Sequence, residues 1–188
     1  MPFKWVFIIL FVIIIIQRIL ETFSKRKKEQ GVILHKWTFT LFFLAHFIVV
    51  IGSILEYLLF KREIIALVTA IGLILYLSGL ILRNWSIKTL GKYWSIYIEI
   101  RKNQQLIRNG PYKKIRHPAY LSMILEVCGI PLIVNAYFIF LFAVVVYIPL
   151  ILMMKHLEEK EHLRLFGPAY LTYKKEVGVF WPRIRKRQ

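Results

Sequence analysis

Residues 118–154 read PAYLSMILEVCGIPLIVNAYFIFLFAVVVYIPLILMM, an apolar run of 37 residues. As one helix it would extend about 55 Å, nearly twice the ~30 Å hydrocarbon layer of a bilayer. It therefore doubles back, and Pro131 to Asn135 is the helix-breaking stretch near its middle. The halves are Ala119–Val134 and Ala136–Met154. Working outward, Phe3–Leu20, Thr38–Phe60 and Ile64–Leu82 form apolar runs of 18, 23 and 19 residues, each near the roughly 20 that cross a membrane. With 58% apolar residues in a chain of 188 and a mean hydropathy of +0.59, the composition is that of a membrane protein. The expected fold is all-α and integral to the membrane. It has five transmembrane helices, a cytoplasmic helical C-terminal segment, and a single domain over 1–188.

Charge placement orients this arrangement. Five spans leave six flanking segments. The first, third and fifth carry one, two and no cations, three together, whereas the others carry six, nine and nine, the remaining 24. The positive-inside rule makes the second set cytoplasmic and puts the N-terminus outside. Around the first run, positive charge lies mainly after the apolar stretch and no small-residue cleavage site follows, so it reads as a retained span. The net charge of +17 does not indicate nucleic acid, because the cations are juxtamembrane and suit anionic lipid. The loop Ser24–Gln30 is a solvated charge run, and the basic end from Arg183 to Arg187 suits lipid headgroups. The single cysteine, Cys128, lies mid-span, which excludes a disulfide framework.

Two polar clusters sit at the cytoplasmic boundary. The first, Gly110 to Tyr120 (GPYKKIRHPAY), ends where the long apolar run begins; the second spans Glu158-Glu159, Phe166-Gly167, Tyr170, Tyr173 and Pro182. Polar groups beside hydrocarbon are costly and tend to be functional. Between span 3 and the first cluster, Arg83-Asn84-Trp85 has an interfacial anchor pattern, and Tyr93 to Ile100 is β-prone or interfacial. Lys155 through Phe166 reads as a helix, broken at Gly167, with Pro168 starting another that runs to about Val177.

Glu158 and Glu159 diverge by about 100° on a helix and do not form a dyad, so at least one turns to solvent or lysine. Glu159, Leu163 and Phe166 share a face by spacing, which places Glu159 on the inward stripe. His156, Glu158, Glu159 and His162 are too few and too poorly spaced for a metal centre, so no metal is expected. His46, Glu56 and Glu126 fall within spans, face the bundle interior, and favour structural pairing over catalysis. The chain carries no phosphate loop and no dinucleotide fingerprint.

The run GPYKKIRHPAY, followed some 40 residues later by EEKEHLRLFGPAYLTYKKEV and then WP, resembles the isoprenylcysteine carboxyl methyltransferase family over roughly residues 80–182. The segment Leu121–Leu132 also looks like a bacterial branch acting on lipid-like alkylpyrones. The resemblance implies an O-methyltransferase that takes its methyl group from S-adenosyl-L-methionine and acts on a lipophilic or prenylated acceptor among membrane lipids. Carried over, it makes Arg116 and Glu159 the catalytic pair. The cofactor is bordered by Arg116, His117, Pro118, Tyr120, Tyr112, Glu159, Tyr170 and Tyr173. One departure stands out: the family's Arg five residues before that Glu is Met154 here, with Lys155 and His156 as the neighbouring substitutes. Three other classes stay open on sequence: a phospholipid N-methyltransferase, an NADPH-dependent sterol-type reductase sharing a similar Arg-His-Pro element, and a non-catalytic membrane scaffold.

Overall fold

The computed structural model describes residues 4–23, 31–61, 63–101 and 103–183. The charge run Ser24–Gln30, Arg62, Lys102 and the basic residues after Arg183 lie outside them. Apolar helices dominate: α1 (Lys4–Phe23), α2 (Lys36–Leu59), α3 (Ala66–Leu90), α4 (Pro118–Ile133), α5 (Tyr137–Phe142), α6 (Ile148–Phe166) and α7 (Pro168–Glu176). Strand β1 (Gly31–Leu34) pairs antiparallel with β2 (Ile98–Arg101), Gly31 opposite Arg101. A π-helical turn over Ala143–Tyr147 joins α5 to α6 in one 30-residue helix, Tyr137–Phe166. That turn ends two residues before Pro149, whose ring cannot coexist with a regular bond to the carbonyl four residues back.

Among the described residues, three helices are long and apolar enough to cross a membrane: Lys36–Leu59, Ala66–Tyr93 and Tyr137–Phe166. The apolar part of α1, Trp5–Gln17, and the helix α4, Pro118–Ile133, are shorter. The long run does fold back where a break was expected. Helix α4 continues two residues past Pro131, and Asn135 makes the turn with a left-handed φ of 57°. Its Oδ1 accepts from the Ile65 amide at 3.1 Å and the Tyr137 hydroxyl at 3.0 Å, while Nδ2 donates to Thr69 Oγ1 at 3.0 Å. Glu56, from the end of α2, accepts from the amides of Phe138 and Ile139 at 3.2 and 2.9 Å. A carboxylate there satisfies orphan donors at the start of α5 and complements its dipole. Glu56 thus has a structural role, as its position in the sequence suggested.

Helices α3 and α4 lie against one another at backbone distance. A Cβ added at Gly129 would stand 2.7 Å from both the Gly72 carbonyl oxygen and the Tyr76 amide nitrogen. Small residues at such a crossing let two membrane helices meet through van der Waals contact. Gly79 does the same opposite Ser122 and Glu126, and Glu126 is fully buried. The apolar core joins Phe11 and Ile14 of α1 to Val49, Ile130, Ile133, Tyr147 and Ile151. His46 meets the Tyr147 hydroxyl through Nδ1 at 3.1 Å. Strand β2 lies against α6, the turn Gly110–Lys113 lies against α3, and Leu106 packs against Tyr170 and Tyr173 of α7.

Candidate functional site

The two polar clusters meet. Chain ends and starts of three elements converge there. Arg116 and His117 precede α4, Glu158, Glu159 and His162 come from the last turns of α6, and Tyr170 and Tyr173 come from α7. Backbone pairing holds the first cluster in place. Ile115 forms a parallel bridge with Gly178, the Arg116 amide donates to the Gly178 carbonyl at 2.8 Å, and the His117 amide donates to the Val179 carbonyl at 3.2 Å. Only glycine fits at 178, where an added Cβ would lie 1.8 Å from the Trp181 carbonyl oxygen. This zipper leads the chain straight into Pro118 at the first turn of α4, where a missing N–H costs nothing.

Glu159 is the hub of the ionic wall. Its Oε1 accepts from His117 Nε2 at 3.0 Å, from Arg116 Nη2 at 3.2 Å and Nε at 3.4 Å, and its Oε2 accepts from Lys174 Nζ at 2.9 Å. Arg116 also donates through Nη1 to the carbonyls of Lys174 and Val177. Burial opposes the charge on Glu159, but hydrogen bonds from His117 and Lys174, with the Arg116 charge, hold its carboxyl well below the usual carboxylate range. Glu158 approaches the other side of the same imidazole, 3.8 Å from His117 Nδ1, and lies 3.8 Å from His162 Nε2. So the two glutamates do diverge, yet both serve one histidine. Sequence spacing anticipated the divergence and missed that His117 lies in the angle between them.

These groups border a cavity of about 470 Å³, within the size range of cofactor sites. Of the residues expected at the site, Arg116, His117, Tyr120, Tyr112, Tyr170 and Tyr173 line it. Pro118 and Glu159 stand behind the wall, Pro118 starting α4 and Glu159 holding Arg116 and His117. The Tyr173 hydroxyl donates to the Tyr112 carbonyl at 2.7 Å, and Arg108, ion-paired with Glu176, stacks 5.3 Å from the Tyr173 ring. Burial pushes the Tyr173 phenol up to about 12, against the pull of Arg116 and Arg108. The Tyr170 phenol is pushed well above its usual range by burial and by Glu159 and Glu158. Its buried hydroxyl has no hydrogen-bond partner among the described residues.

The rest of the wall is apolar, with Phe39, Phe42 and Phe43 from α2, Met123 from α4 and Met154 from α6. Sequence reasoning missed Glu158 as a wall residue, the aromatic contacts of His162 with Phe166 and Tyr170, and the segment Gln104 to Ile107. The i, i+4 pair Glu158–His162 was visible, but as a candidate metal pair. Leu163, expected on the inward stripe, is exposed, and the inward face runs through Glu159, His162 and Phe166 instead. Both spacings suit a helix, and packing of α7 chose between them. Lys155 and His156 do not line the cavity, so neither takes the place opened by Met154.

A sequence profile of the isoprenylcysteine carboxyl methyltransferase family matches residues 70–164, the stretch that builds α3, α4, α6 and most of this wall. The chain belongs to that family. As a member it is a methyltransferase built on membrane helices. The uncharacterized protein YpbQ of Bacillus subtilis is 32% identical over 137 residues, covering 70% of this chain and 81% of that protein. The protein-S-isoprenylcysteine O-methyltransferase of Saccharomyces cerevisiae is 29% identical, covering 63% of this chain and 50% of the yeast protein. Among solved structures, the eukaryotic intramembrane Ras methyltransferase of the same family superposes with a TM-score of 0.62 at 25% identity. The match covers 81% of this chain and 55% of that one. This family member therefore spans about half the length of the yeast and eukaryotic relatives.

Proposed function

We propose that this protein methylates an anionic oxygen of a lipophilic acceptor, using S-adenosyl-L-methionine, at the cytoplasmic face of a five-helix membrane bundle. The observation that carries this reading is a cavity that joins an ionic wall to an apolar one. The residues present fit the cofactor. Its ammonium matches Glu158, its carboxylate matches Arg116 and His117, and its adenine matches the rings of Tyr112, Tyr120 and Tyr173. The unpartnered Tyr170 hydroxyl awaits a polar group of the bound molecule. When bound, the cofactor supplies an electrophilic methyl on a sulfonium.

The residues of the chain supply orientation and exclusion of water. Glu159 acts from behind the wall by fixing the Arg116 guanidinium and the His117 ring, so these donors are held in place before a ligand arrives. Transfer from a sulfonium to an oxyanion annihilates charge, and a dry cavity favours it. An acceptor that is a carboxylate or an acidic enol or phenol is anionic at neutral pH and requires no general base. The apolar wall suits its tail, which enters sideways from the bilayer.

S-adenosylhomocysteine binding in detergent, followed by thermal shift, and transfer of tritiated methyl to lipids test this together. Arg116→Ala and Glu159→Gln should each lose most binding and transfer. Retention of both activities in both variants refutes the assignment. Methylation of amine lipids alone would choose the phospholipid N-methyltransferase class instead.

A further inference from the structure

Residues 104–109 run along the cavity as a strap, with Gln104, Gln105, Leu106 and Ile107 on its wall. Both ends are anchored. At one end, the Gln104 amide donates to the Arg101 carbonyl at 3.2 Å, and its Oε1 accepts from the Arg101 amide at 2.9 Å. Next to it, the Asn103 carbonyl accepts from the Tyr93 hydroxyl at 3.1 Å. At the other end, the Asn109 carbonyl accepts from the Tyr112 amide at 3.0 Å, and Gly110 abuts α3, where an added Cβ would lie 2.6 Å from Thr89 Oγ1. Asn103 and Gly110 flank the strap in the left-handed region, with φ of 57° and 52°.

Between these anchors only side chains hold the strap down. Among the described residues, no backbone amide or carbonyl of residues 105–108 has a hydrogen-bond partner. Leu106 packs against Tyr170 and Tyr173. Arg108 pairs with Glu176, the last residue of α7, and lies over the Tyr173 ring. The paired side chains are 44% and 37% exposed. An ion pair open to water is weak and screened by salt, and a segment without backbone bonds is among the first parts of a fold to open. The remaining wall comes from long helices and from the backbone zipper at Gly178. The strap is thus its least secured stretch, and it covers the buried rings of Tyr170 and Tyr173 on the ionic side.

We propose that residues 104–109 form a lid latched by Arg108 and Glu176, whose opening sets the rate at which the cofactor and its demethylated product exchange with water. This rests on the methyltransferase reading above. Opening precedes both entry and exit, so the latch slows both and leaves the affinity nearly alone.

The test uses the full chain in detergent, the variants Arg108→Gln and Glu176→Gln, and S-adenosylhomocysteine as the probe. Association and release are followed separately by stopped-flow tryptophan fluorescence, since Trp94 lines the cavity. Arg108→Gln, which loses the ion pair and the ring contact, should speed both rates by about 3- to 30-fold. Glu176→Gln, which keeps the ring contact, should speed both by about 2- to 5-fold. Affinity should change by less than either rate. Added salt should speed exchange in wild type and leave both variants unmoved. Trypsin cleavage after Arg108, mapped by mass spectrometry, reads opening without any ligand, and Glu176→Gln should speed it by the same factor as exchange. Unchanged exchange rates in both variants overturn the proposal. So does faster release with unchanged association, which would make the pair part of the binding site. Equal cleavage of wild type and Glu176→Gln overturns the latch by itself. Failure of wild type to bind S-adenosylhomocysteine refutes the methyltransferase reading instead, and the cleavage rates then decide the lid alone.

Discussion

Replacing Glu159 with Gln removes one charge at nearly constant volume and so isolates the ionic wall. Arg116 and Glu159 have side chains 6% and 8% exposed, and stripping one partner from such a buried pair costs about 3–5 kcal/mol. Two features reduce that figure here. Arg116 keeps the carbonyls of Lys174 and Val177 as acceptors, and Lys174, 37% exposed, can turn to solvent. We therefore expect a loss of about 2–3 kcal/mol, with Arg116 left as the poorly compensated charge. At roughly 2–4 °C per kcal/mol for a chain of this size, the apparent melting temperature in detergent should fall by about 5–10 °C. Tryptophan fluorescence during heating measures it. The double variant Arg116→Gln with Glu159→Gln should recover part of the loss, because the orphaned charge is gone. A fall below about 1 °C, or a double variant whose loss is the sum of the singles, refutes the hub role given to Glu159.

Tyr173→Phe should cost about 1 kcal/mol, the net worth of the bond to the Tyr112 carbonyl, seen as a melting shift of a few degrees with folding intact. Gly129→Val puts side-chain atoms where the backbone of Gly72 and Tyr76 already stands, so the α3–α4 contact should open and detergent-extracted protein should elute aggregated on size exclusion. Burial lowers the His162 pKa, against the pull of Glu158. The unfolded chain therefore binds a proton first, and stability should fall as pH drops through about 6.5. Glu159 adds no slope in that window, because its lowered pKa keeps its contribution until pH falls below the usual carboxylate range. Melting curves between pH 7.5 and 5.5 should show the decline in wild type, and His162→Gln should flatten it.

Much of this arrangement was legible locally. The fold-back at Asn135 was forced by a run too long for one bilayer crossing and one helix-breaking stretch near its middle. The break at Gly167 and the restart at Pro168 are equally local, since a residue with φ of 52° and a ring that fixes φ act within a turn. The family resemblance implied that Arg116, His117 and Glu159 share one site, and the structure brings them within hydrogen-bond distance. Even so, local pattern failed on α6, where 159–163–166 and 159–162–166 are both helical faces. It also read Arg83, which is buried on the cavity wall, as a membrane anchor, because an Arg near a Trp at the end of an apolar run looks the same whether it snorkels to lipid or lines a cavity.

The sequence alone determined that this is a helical membrane chain with two chemistry-bearing clusters, because hydrophobic length, charge and breaker residues act on their own neighbourhood. Only the tertiary structure decided that His117 sits between two glutamates, that Glu159 works from behind the wall while Glu158 faces the cavity, and that Lys155 points elsewhere. Those outcomes depend on how α6 is rotated against α4 and α7, and on Gly178 zipping to Ile115. Such rotation is set by packing across more than 40 residues of chain, which no run of neighbouring side chains encodes by itself.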